Sequence, residues 1–115
     1  MYKNFGQFID GKWQQSSDKG TYEVINPATE EVIGYASKAT PTDVNNALES
    51  AKKGLEVWKK TSPWKRSAIL RKIADLIRVK QDKLAKWITL EVGKPFIEGK
   101  GEVGATADIF EWNSE

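Results

Sequence analysis

Asp10, Glu23, Glu30, Glu31, Glu91, Glu98, Glu102, Asp108 and Glu111 are carboxylates that could in principle supply an acid–base pair. Such a pair needs one carboxyl group whose pKa is raised toward neutrality by burial or by a like charge. The sequence gives none of the nine a setting of that kind, and solvated surface positions are the plainer account. Histidine and cysteine are missing outright. That removes the commonest general base and zinc ligand, thiolate metal sites, thiol nucleophiles and disulfides.

Two further patterns invite a chemical reading. Gly99, Gly101 and Gly104 satisfy G-x-G-x-x-G. A dinucleotide fingerprint needs a strand before it and a helix opening after it. Here Lys94-Pro95 and a helical run surround the glycines, so helix packing is the reading the context favours. Lys59-Lys60-Thr61-Ser62-Pro63-Trp64-Lys65-Arg66 mixes cations with an aromatic. A single-strand nucleic-acid platform needs a groove and several stacking side chains. Lys59 and Lys60 instead suit a helix C-terminus, where cations complement the dipole. The net charge of +2 is also too mild to call for nucleic acid or an anionic membrane.

The elements that would position these residues follow from pattern. A chain of 115 residues is one domain by length. With 39% hydrophobic and 30% charged residues it reads as globular rather than disordered. No apolar run approaches the ~20 residues of a membrane-spanning helix, and the start, MYKNFGQFIDGKW, lacks the apolar core of a signal peptide. A cytoplasmic location is the expectation. Asp10-Gly11 between apolar residues predicts a hairpin with Ile9 and Trp13 on its strands. Thr21–Ile25 is β-branched and aromatic, a strand. Pro27 ends it at the Asn26-Pro27-Ala28-Thr29-Glu30 turn, and Glu31–Ala36 starts another. An antiparallel β unit over about 5–37 results.

From Thr40 the period becomes helical. Thr40, Pro41 and Asp43 give an N-cap, a first-turn proline and a first-turn acid. Val44, Ala47, Leu48, Ala51, Leu55 and Trp58 form the apolar stripe of a helix over roughly 41–59. Ser62-Pro63 opens a second helix, with Ile69, Leu70, Ile73, Ala74 and Ile77 as its stripe. Asp82 is expected to cap a third helix, which Gly93 and Pro95 end. Phe96 to Glu115 reads as a fourth, despite three glycines that together cost about 3 kcal/mol inside a helix. Close packing against another element, or a wall that must stay small, has to offset that. No cap signal follows Trp112, so this helix looks unfinished. The fold class is α+β, with the helical part over about 41–115.

Taken in order, Phe8-Ile9-Asp10-Gly11-Lys12-Trp13, then Ile25 to Ile33, then Leu90-Glu91-Val92-Gly93-Lys94-Pro95, with the helix Arg66–Ile77 between, closely resemble the N-terminal segment of NAD(P)-dependent aldehyde dehydrogenases. Gly101-Glu102-Val103 and Glu111-Trp112 resemble the succinate-semialdehyde dehydrogenase group. The resemblance covers essentially the whole chain. It implies a parent α/β enzyme, several times longer, that oxidises an aldehyde to a carboxylate with NAD or NADP. The family's nucleophilic cysteine, glutamate base, oxyanion-holding asparagine and cofactor fold all come later in its chain. No catalytic residue is therefore carried over, and this segment alone is expected to be inactive and to bind no cofactor.

Two secondary roles follow from the resemblance. Ile25, beside the turn, and Glu91, before Gly93-Lys94-Pro95, match positions at which some family members hold a monovalent cation, with a glutamate where aspartate is often found. Gly101 and Ala105 match the helix face that borders the family's substrate tunnel. A strand residue, a solvated helix acid and plain helix packing are the structural alternatives. Partners implied are a small-molecule aldehyde and further copies of the parent, as a homodimer or homotetramer, with neither nucleic acid nor membrane. The competing expectation is a free-standing helical interaction module without catalysis.

Overall fold

A computed structural model describes residues 5–115. The elements run β1 (Gln7–Ile9), β2 (Lys12–Gln14), β3 (Thr21–Ile25), β4 (Val32–Ser37), α1 (Pro41–Trp58), α2 (Pro63–Val79), α3 (Gln81–Val92) and α4 (Phe96–Trp112). The strands make two antiparallel pairs, β1–β2 and β3–β4. The class is the α+β expected from the pattern. Residues group into two compact units, Met1–Lys60 and Thr61–Glu115, so α1 belongs with the strands.

In the first unit the Asp10-Gly11 turn works as its chemistry demands. Both residues have positive φ, 53° and 73°, the backbone of a two-residue turn whose twist matches the strands it joins. Phe8 pairs with Trp13 across it, and their rings lie 5.3 Å apart. The second turn is tied from within. Asn26 Oδ1 accepts from the Ala28 N–H at 2.9 Å, and the Asn26 carbonyl accepts from the amides of Thr29 and Glu30. Glu30 takes φ 59°, and the Asn26 N–H donates to the Glu31 carbonyl at 2.9 Å. Glu31 is thus spent closing the turn, and β4 begins one residue later than the pattern suggests. The pairs run Thr21 to Ser37 through Val24 to Gly34, with an irregularity before Ile25 meets Val32.

α1 starts from a reciprocal cap. Thr40 Oγ1 accepts from the Asp43 N–H while Asp43 Oδ2 accepts from the Thr40 N–H at 2.9 Å, which satisfies two backbone donors at once. The stripe read for this helix stays open, since Val44, Leu48 and Leu55 are each about half exposed.

In the second unit Ser62 caps α2 by accepting from the Lys65 N–H. α3 follows almost at once, and Lys80 both ends α2 and precedes α3 without a side-chain cap. The expectation that Asp82 caps α3 is corrected here: α3 starts at Gln81, so Asp82 sits inside the first turn. There it can favour the helix dipole, and it ion-pairs with Lys100 at 2.8 Å. Gly93 ends α3 with φ 74°, its N–H donating to the Thr89 carbonyl. Pro95 then leads into α4.

α4 packs against both α2 and α3. The seam is built from small residues: Ala74, Ala85 and Ala107 are fully buried, Val103 nearly so, and Gly99 lies in the same seam. A Cβ placed on Gly99 would come 3.1 Å from the Ala85 carbonyl oxygen, so glycine allows the approach of α3. Close packing does not extend to the other two glycines. A Cβ on Gly101 would meet nothing within 4 Å, and one on Gly104 only the Gln81 amide nitrogen at 3.5 Å. Nor does α4 end without caps. Asn113 Nδ2 donates to the Ile109 carbonyl at 2.8 Å and Ser114 Oγ to that of Glu111 at 2.6 Å, in addition to the backbone N–H groups of Asn113 and Ser114 that the same carbonyls accept.

Candidate functional site

Among the described carboxylates, the two with a displaced pKa both move down. Asp43, 4% exposed, is held at about 2, first by the Thr40 backbone N–H and then by the Ser17 N–H, the Thr40 hydroxyl and the Gln7 amide. Asp18 is lowered by the Ser16 hydroxyl and the Gly20 N–H. Hydrogen bonds to the charged form hold a carboxylate ionised, which is the opposite of what a general acid or a base poised near neutrality requires. Asp43 is instead a tie. Gln7 of β1 reaches both Asp43 and Ser37 at 3.4 Å. The Ser17 N–H reaches both Asp43 oxygens at 3.2 Å. Ser16 donates its N–H to Ser37 Oγ at 2.9 Å. One carboxylate thereby joins β1, the loop after β2 and the start of α1. The Thr40-x-x-Asp43 spacing carried the signal for the cap; nothing local in the sequence marks Gln7 or Ser17 as its further donors.

The residues singled out by the resemblance are placed as follows. Ile25 ends β3 beside the Asn26 turn and is about half exposed. Glu91 lies in the last turn of α3 with an exposed side chain. Ile25 belongs to the first compact unit and Glu91 to the second. Gly101 and Ala105 sit one turn apart on an exposed face of α4. Among the described residues no three His, Cys, Asp or Glu side chains converge as a metal cluster.

The second unit also holds a groove. Ile77 of α2, Leu84, Trp87, Ile88, Glu91 and Val92 of α3, and Val103 and Thr106 of α4 enclose about 390 Å³. Its lining is apolar save for Glu91 and Thr106. The sequence analysis identified Leu84, Trp87 and Ile88 as a helix stripe but not as a groove wall, because periodicity shows which face is apolar and not whether a neighbour fills it.

The three glycines do not fit a nucleotide phosphate. They lie inside α4, where the Gly99 N–H is already spent on the Pro95 carbonyl at 3.0 Å, whereas a phosphate cradle needs free N–H groups at a strand-to-helix turn. The basic run divides as its helical explanation requires. Lys59 pairs with Glu56 at 2.5 Å, and Trp64 is 85% exposed. No helix of the described residues is long and apolar enough to cross a membrane.

The sequence pattern of the aldehyde dehydrogenase family matches residues 13–115, and the chain belongs to that family. It is similar to the glutarate-semialdehyde dehydrogenase of Pseudomonas putida, at 40% identity over 94% of this chain and 22% of that protein. It is also similar to the succinate semialdehyde dehydrogenase of Acinetobacter baylyi, at 38% over 93% and 22% respectively. Among solved structures, the NAD-dependent aldehyde dehydrogenase of Sinorhizobium meliloti superposes with a TM-score of 0.92 at 32% identity, over 96% of this chain and 23% of that one. The chain therefore spans about a fifth of the length of the curated relatives it matches, and the four helices and two small sheets correspond to the N-terminal part of the family's structures.

Proposed function

We propose that these residues are the N-terminal supporting part of an enzyme that oxidises an aldehyde, in the class of short semialdehydes that carry one carboxylate at the far end, to the acid with NAD or NADP. The match across residues 13–115, with semialdehyde dehydrogenases among the relatives, carries this reading. NAD or NADP supplies the hydride acceptor in such a reaction. The described residues do not fit it, so no step is assigned to them through that group. The nucleophile and the base belong to other parts of the enzyme, since a thiol cannot come from a stretch without cysteine. The segment alone turns over no aldehyde and binds no cofactor.

What these residues do in this account is hold shape. Apolar side chains occur all around α4, as on helices that are covered on every side. Yet Ile97, Ile109 and Trp112 are 75%, 62% and 82% exposed. These faces, with Gly101 and Ala105 among them, meet the rest of the parent fold and border its substrate tunnel. The parent is a cytoplasmic homodimer or homotetramer.

The alternative is a free-standing helical interaction module, favoured by the capped end of α4 at Asn113 and Ser114. The two readings part on the purified chain. The supporting-part reading predicts binding of a hydrophobic dye and self-association at micromolar concentration, because large apolar patches are uncovered. A monodisperse particle that binds no dye and unfolds cooperatively overturns it in favour of the module. The DNA following codon 115 gives a second, independent check: an open frame leading to a cysteine-bearing segment is the expected result, and an immediate stop codon in the native gene counts against the proposal.

A further inference from the structure

No further inference is drawn: the strongest candidate, the apolar groove of about 390 Å³ between α2, α3 and α4, is an unpartnered apolar face, and nothing in the structure shows what covers it.

Discussion

The two compact units solve one problem by opposite means. Among the described residues neither contains a large side chain that is fully buried. The unit up to Lys60 is tied by polar groups around one sequestered carboxylate, Asp43, which takes donors from Gln7, Ser17 and Thr40. The unit from Thr61 is held by a narrow seam in which Gly99 lets α4 approach α3. Outside that seam run exposed ion pairs: Arg78 with Asp108 at 2.9 Å and with Glu111 at 2.5 Å, Lys100 with Asp82, Arg71 with Glu115, and Lys94 with Glu102. The difference teaches that the first unit depends on ionisation and the second on shape.

The contrast breaks most sharply at Gly99. Replacing it with valine puts branched methyls where a single Cβ already sits 3.1 Å from a carbonyl. Overpacking of this kind costs up to about 3 kcal/mol. Amide hydrogen exchange should show lost protection in α3 and α4 while β1–β4 keep theirs. Equal loss in both units would mean that the seam is not what separates them.

Acid should strike the other unit. The Asp43 pKa in the folded chain, about 2, lies below its ordinary 3.8. Its contribution is therefore complete above about pH 4 and is lost as pH falls from there toward 2. Asp18 is lowered too and works in the same direction. Between pH 5 and about 2.5, the Ser17 and Thr40 amides should lose protection before those of α4. Asp43→Asn, which cannot ionise, should start with weaker protection at neutral pH and show a flatter acid profile. An unchanged profile would remove the carboxylate from the account.

A smaller effect sharpens the reading of α4. Gly101→Ala meets nothing and relieves a glycine penalty of about 1 kcal/mol, so thermal unfolding of the second unit should move upward. A downward shift would show that the position is already in contact in the isolated chain. The smallest effect is salt. At 1 M the screening length is about 3 Å, and exposed pairs are individually weak. The second unit's transition should fall only slightly. A collapse would promote the ion pairs above the seam.

What could be read from sequence alone follows the range of the interaction. The Asp10-Gly11 hairpin, the Thr40 and Ser62 caps and the Gly93 stop were legible because each is decided within a few residues. Asp82 was misassigned as a cap because α3 follows α2 with no polar linker, and an acid suits a first turn as well as a cap. The polar tie was invisible beyond Thr40 and Asp43, since Gln7 lies 36 residues from Asp43. Of the three glycines, sequence could not tell which one touches a neighbour. Ile25, Glu91, Gly101 and Ala105 rest on resemblance alone, not on any local chemistry of their own.

The central claim is that this stretch supports a catalyst without being one. Its most direct test is to mix the purified 115-residue chain with succinate or glutarate semialdehyde and either NAD or NADP, and follow reduced nicotinamide by absorbance. The account predicts a trace that matches the protein-free blank. Sustained, aldehyde-dependent reduction proportional to the chain's concentration would contradict it.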